Sequence, residues 1–140
     1  MIYLTKQYKF CAAHKYWNSD WSDSKNIKVF GEDIRIHGHN YILSITVKGS
    51  IKSGSGFIVD IKELNKVVNK KVINIFDHSQ IEKDISWFKD KQPSTENMVV
   101  FIWNQIFDSI PSNAILHCVK LRETPTIFSE YYGPENKIGK

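Results

Sequence analysis

Apolar and polar residues alternate most cleanly over residues 39–49, where Tyr41, Leu43, Ile45 and Val47 take one side and Ser44, Thr46 and Lys48 the other. A period of two belongs to an extended chain with one face covered, so this stretch predicts a half-buried antiparallel strand. Residues 2–11 read as an earlier strand that ends near Ala12, Ala13 and His14. Between them, residues 15–36 carry Asn18, Ser19, Asp20, Ser22, Asp23, Ser24 and Asn26 without a clear period. That segment reads as a long irregular loop, a kind that is usually functional or disordered. Ser53-Gly54-Ser55-Gly56 marks a turn, with Phe57-Ile58-Val59 as a short extended continuation.

The period then changes. Ile61, Leu64, Val67, Val68 and Val72 form a helical stripe behind Asp60, whose carboxylate suits the N-cap. Pro93-Ser94-Thr95-Glu96-Asn97 opens a second helix with apolar positions Val99, Val100, Ile102, Trp103, Ile106 and Phe107. Residues 114–123 read as a third strand with His117, Val119, Leu121 and Glu123 on one face, and residues 127–132 as a fourth. The order strand, strand, helix, helix, strand, strand predicts an α+β fold with a four-stranded antiparallel sheet and two helices on one face. No repeat or low-complexity linker interrupts the chain, so residues 1–140 are expected to form a single domain.

The chain has 140 residues, of which 41% are hydrophobic and 24% charged, ordinary values for a globular domain. No apolar run approaches the ~20 residues of a membrane span, so no membrane partner is expected. Nineteen Lys and Arg against fifteen Asp and Glu give a net charge of +4. The lysines are scattered and not interleaved with aromatics, which ranks nucleic acid low and leaves an anionic metabolite as the more natural ligand. The N-terminal residues lack the apolar core and cleavage site of a signal peptide. Together with two cysteines, Cys11 and Cys118, this predicts reduced thiols and a cytoplasmic protein.

His37-Gly38-His39 is the first chemical signal. Side chains two apart on a strand share a face about 6.6 Å apart, so two imidazoles can converge on one ion. Zn²⁺ takes about four ligands and keeps a position open in catalytic sites. His14, at the end of the first strand, is the natural third ligand. Alone, an H-x-H pair is a weak signal, and two surface histidines are the commoner explanation.

The surroundings of that pair sharpen it. Phe10-Cys11-Ala12-Ala13-His14, His37-Gly38-His39-Asn40-Tyr41, Gly56-Phe57-Ile58-Val59-Asp60, Asp77-His78, Pro93-Ser94-Thr95-Glu96-Asn97 and Arg122-Glu123-Thr124 follow one another in order. This series resembles the 6-pyruvoyl-tetrahydropterin synthase / 6-carboxytetrahydropterin synthase family over residues 8–132. The resemblance implies a T-fold whose subunits pair edge to edge into a trimeric β-barrel, with pockets between subunits; two trimers often stack as a hexamer. It implies a zinc lyase acting on the three-carbon side chain of 7,8-dihydroneopterin triphosphate, with His14, His37 and His39 on the metal. Asp77-His78 would be a proton relay, with a loop Asp beside a surface His as the plain alternative. Glu123 would anchor the pterin by accepting two N–H donors, or be an ordinary strand-end acid. Ser94 or Thr95 would help hold the pterin, or only cap the helix.

One element of the family pattern is missing. Most members carry a catalytic cysteine shortly before H-G-H, yet no cysteine lies between residues 12 and 117. The corresponding position is Asp33, with Glu32 before it. A carboxylate therefore replaces the thiol, and either acid could face the pocket; Cys11 as a substitute base is a lesser alternative. A branch of the family with Glu in this place cleaves the side chain to 6-hydroxymethyl-7,8-dihydropterin for folate synthesis. Three products thus compete: 6-pyruvoyl-tetrahydropterin, 6-carboxytetrahydropterin and 6-hydroxymethyl-dihydropterin. A non-catalytic pterin- or purine-binding protein is the reading from another class.

Overall fold

Two thirteen-residue strands, β1 (Ile2–His14) and β2 (His37–Gly49), form the spine of the computed structural model, which describes residues 1–135. They pair antiparallel along their whole length, from Ile2 opposite Gly49 to His14 opposite His37. The alternation that predicted β2 decides its faces: Tyr41, Leu43, Ile45 and Val47 are fully buried. Their partners Tyr8 and Phe10 cover the same side. Next to β2 lies β4 (Ile115–Thr124), antiparallel, and beyond it β5 (Ile127–Tyr131), also antiparallel.

The helices pack on the apolar face, as predicted. Helix α2 (Ile61–Val68) starts at Asp60, whose Oδ1 accepts the Lys62 N–H at 2.9 Å. It runs on through a wider π turn (Asn69–Ile73) into the single turn α3 (Asn74–Phe76). Leu64, Val68, Val72 and Phe76 are fully buried at intervals of four, the spacing that keeps one helical face on the sheet. A short turn, α4 (Ile81–Asp84), precedes α5 (Thr95–Ile106), which buries Met98, Ile102 and Ile106 against the sheet. Aromatic rings tie the layers together: Phe10 stacks on Tyr41 at 4.9 Å and on Phe76 at 5.2 Å.

Three expectations are corrected. The sheet has five strands in the order β3-β1-β2-β4-β5, because Ser79–Gln80 (β3) pairs parallel with Ala12 and Ala13. Residues 15–36 are not an irregular loop: they hold helix α1 (Asp23–Phe30), capped by the Ser22 hydroxyl, and a 3₁₀ turn (Gly31–Ile34). Its buried residue is a polar one, Asn26, whose amide donates to the carbonyls of Asn18 (2.9 Å) and Ser22 (3.0 Å) and accepts from the Asn18 N–H (2.7 Å). Finally, a bulge opposite Thr46 and Val47 adds a residue to β4. It turns His117 to the open face with Cys118, against Tyr3, while Leu116 takes the covered side.

Among the described residues, β1 from Ile2 to Phe10 and all of β5 have no strand on their outer sides. No helix of the described residues is long and apolar enough to cross a membrane.

Candidate active site

Three strand ends meet at one end of the sheet. Register puts His14 directly opposite His37, and His39 opposite Ala12. On β4, Arg122 pairs with Ile42, so Glu123 falls one step on, beside Tyr41. The parity that buries Tyr41 and Leu121 therefore also brings His14, His37, His39 and Glu123 to the helix-covered face. The ring centroids of His14 lie 4.6 Å from His37 and 5.0 Å from His39, and those of His37 and His39 lie 5.0 Å apart.

Hydrogen bonds fix which nitrogen His14 and His37 present. His14 Nδ1 is 2.8 Å from the Pro93 carbonyl and His37 Nδ1 is 2.8 Å from the Arg35 carbonyl. A carbonyl only accepts, so both Nδ1 atoms carry the proton and both Nε2 atoms keep a lone pair. Nε2 of His14 and of His39 are buried and make no aligned hydrogen bond. One ligand atom from each of the three rings lies within 4.8 Å of the others. Bare, mutually close imidazole nitrogens with backbone partners behind them are the donor set that suits a tetrahedral transition ion with one position left open. The residues fit a zinc ion.

Glu123 is part of this cluster. Its Oε1 lies 3.2 Å from Nε2 of His14 and 3.2 Å from Nε2 of His39. Contact with the His14 ring, with the charges of His39 and His37, holds its carboxyl below the ordinary carboxylate range. Burial lowers the pKa of His39, with Glu123 opposing that shift. Two tyrosines complete the wall. Tyr41 Oη is 3.5 Å from His14 Nδ1, and the Tyr16 ring centroid is 5.0 Å from that of His14. Burial, reinforced by the Glu123 charge, pushes both phenols well above their ordinary value. The alternation could have found both: Tyr16 stands two residues after His14 and Tyr41 two after His39.

The other predicted residues separate. Asp33, in the 3₁₀ turn after α1, holds Oδ1 3.8 Å from His37 Nε2, and its carbonyl accepts the Tyr16 N–H at 2.9 Å. Glu32 points to solvent beside Arg35 at 3.8 Å. Ser94 caps α5, accepting the Asn97 N–H at 3.2 Å. Thr95 is buried; it donates to Glu96 at 2.9 Å and so accepts from Ser129 at 2.7 Å. Asp77 and His78 do form a pair, with Oδ2 3.0 Å from Nδ1. Asp77 Oδ1 also accepts the Cys11 N–H at 3.0 Å, which lowers the Asp77 pKa. This pair stands beside β3, at the edge of the sheet; among the described residues no hydrogen bond or ion pair joins it to the three histidines, although His78 and His39 line one cleft. A cleft of about 700 Å³ opens beside the cluster, lined by His39, Asn40, Arg122, Glu123, Thr124 and Pro125. That is ample for a bicyclic heterocycle.

A sheet of this topology with helices on one face is that of the T-fold proteins. The family model described as 6-pyruvoyl tetrahydropterin synthase matches residues 3–134. The chain is 35% identical over 132 residues to the 6-pyruvoyl tetrahydrobiopterin synthase of Dictyostelium discoideum, covering 94% of this chain and 96% of that one. It is 29% identical over 114 residues to the dihydroneopterin monophosphate aldolase of Pyrococcus furiosus, covering 81% and 82%. The solved 6-pyruvoyl tetrahydropterin synthase of Caenorhabditis elegans superposes with a TM-score of 0.88 at 28% identity, over 95% of this chain and 96% of that one. The chain belongs to the 6-pyruvoyl tetrahydropterin synthase family, and it is a lyase of the pterin pathway.

Proposed function

We propose that the protein is a zinc-dependent lyase that acts on the side chain of 7,8-dihydroneopterin triphosphate, with Asp33 as the general base in place of the usual cysteine. The observation that carries this reading is the position of Asp33: its carboxylate lies 3.8 Å from a ligand nitrogen of the histidine cluster, while Glu32 faces solvent. Zinc held by Nε2 of His14, His37 and His39 would supply a Lewis acid for the side-chain oxygens. Asp33 takes the side-chain proton as the general base. Glu123 stands between the histidines and the 700 Å³ cleft, where it accepts N–H donors of the heterocycle. Thr95, held by Ser129 and Glu96, or the Ser94 cap would help hold the pterin.

Asp77 orients His78, whose side chain is 81% exposed and meets nothing of the histidine cluster in its own chain. It serves as a proton relay for the site of a neighbouring copy. The long open edges of β1 and β5 favour such an assembly, because closing a barrel of three sheets, singly or as stacked trimers, removes them. A carboxylate in the thiol's place favours side-chain cleavage, giving 6-hydroxymethyl-7,8-dihydropterin. The named relatives include both a synthase and an aldolase, so both reaction types occur among proteins like this chain. The test is to incubate metal-loaded protein with dihydroneopterin triphosphate, before and after chelation, and to resolve the products by mass. Release of a hydroxymethyl pterin that stops on chelation is expected. Tight binding with no product would overturn the lyase reading in favour of a binding protein.

A further inference from the structure

A second group of metal-ligating side chains converges away from the histidine cluster. The Cys11 thiol, a carboxylate oxygen of Asp77 and a ring nitrogen of His78 lie within 4.8 Å of one another. Cys11 belongs to β1 and the other two to the segment leading into β3, and backbone hydrogen bonds lock the segments together. The Cys11 N–H donates to Asp77 Oδ1 at 3.0 Å, and the His78 N–H donates to the Cys11 carbonyl at 2.6 Å. His78 is held at φ 63°, the left-handed region that a residue with a Cβ rarely enters. Strain of that kind persists where the surroundings over-determine it, and it presents a side chain in a direction that ordinary backbone would not. Alternation along β1 turns Cys11 to the face opposite His14, so this group and the histidines do not share an ion. Cys11 and His78 border a cleft of about 350 Å³ whose lining also includes Ala13, Gly38, His39 and Ser79, with space for water ligands.

We infer that Cys11, Asp77 and His78 form a second transition-metal site, on the other face of β1 from His14, His37 and His39. One thiolate, one imidazole and one carboxylate match the mixed S, N and O preference of zinc and cobalt, and not the all-oxygen shells of calcium or magnesium. In the single chain Asp77 and His78 are exposed, which would leave room for water on an ion held there. An ion here engages the two groups proposed above as a proton relay. Excess zinc therefore inhibits turnover, a consequence that rests on the relay reading, whereas the site itself does not.

Cobalt titration of the chelator-stripped, full-length protein tests the site without any activity. His14, His37, His39 and Glu123 contain no sulfur, so a thiolate-to-cobalt charge-transfer band in the near ultraviolet reports a cysteine ligand alone. The band is expected in the wild-type protein, in Cys118→Ser and in His37→Ala, and zinc should displace it. It should vanish in Cys11→Ser and in His78→Ala, whose exposed ring makes that variant safe for folding. Absence of the band at saturating cobalt, or its survival in His78→Ala or a folded Cys11→Ser protein, would overturn the inference while leaving the histidine site untouched.

Discussion

The ring of His14 donates its Nδ1 proton to the Pro93 carbonyl across 2.8 Å, fastening the end of β1 to the entrance of α5. His14 is fully buried, whereas the His37 side chain keeps 28% of its exposure. The two proposed ligands should therefore fail differently. Replacing either by Ala in a Cys11→Ser background, which lacks the second group of metal-ligating side chains, should remove the zinc. His14→Ala should also destabilise the metal-free protein by about 1–3 kcal/mol, because it orphans a carbonyl and empties a packed position. His37→Ala should stay within about 1 kcal/mol of the metal-free parent. Zinc content per chain and urea unfolding after chelation measure both effects. Zinc retained by His37→Ala in that Cys11→Ser background would remove His37 from the ligand set.

Asp33 and Glu32 are exposed neighbours, of which only Asp33 lies beside His37. Asp33→Asn keeps the shape and removes the base, so kcat should fall by about 10²–10⁴ with zinc content unchanged. Glu32→Gln should leave kcat within about twofold, since a solvated surface charge contributes little. Steady-state kinetics on both variants decide the assignment, and equal losses in the two would reject Asp33 as the base.

What was legible in the sequence was whatever an apolar period wrote there. The alternation through Tyr41, Leu43, Ile45 and Val47 placed β2 and, continued backwards, put His37 and His39 on one face. The stripe from Ile61 to Val72 placed α2. Helix α1 left no such mark, because what holds it is the amide of buried Asn26 and the Ser22 cap, and polar residues in that pattern look like loop. Strand β3 has two residues, too few for any period, and it depends on a contact with Ala12 and Ala13 more than sixty residues away. The bulge that turns His117 over arises from pairing between strands, which the β4 sequence alone does not encode. The Asp77-His78 pair was visible as a dipeptide; its distance from the histidines followed from β3 and was not.

Asn26 gives the segment that carries Asp33 its shape. Its side chain makes three hydrogen bonds, to the Asn18 N–H, the Asn18 carbonyl and the Ser22 carbonyl, all with its own exposure at zero. Asn26→Ala should cost about 2 kcal/mol or more, since buried groups lose their partners on both sides. The loosened turn should displace Asp33, so kcat should drop while zinc stays bound by the strands. A drop in zinc parallel to the drop in kcat would show instead that the loop supports the metal ligands themselves.

Acid should weaken the metal-free fold through two groups at the same strand ends. The folded-state pKa of His39 lies below its ordinary 6.5, with burial as the main cause. As pH falls below about 6.5 the unfolded chain takes up a proton that the folded chain resists, so stability declines from that point down to the folded value. Glu123 has a folded pKa below its ordinary 4.5, chiefly from its contact with His14. Its contribution is complete above the unfolded value and is lost as pH falls through the folded one, so it extends the decline to more acid conditions. Urea midpoints of chelated protein should thus be flat from pH 8 to about 7 and fall on going to pH 5. His39→Gln should flatten the upper part of that slope and leave the lower part. Zinc binding should weaken only as pH falls through the lowered folded value of His39, where a proton begins to compete for its lone pair. A His39→Gln protein with an unaltered pH profile would show that the slope originates elsewhere in the molecule.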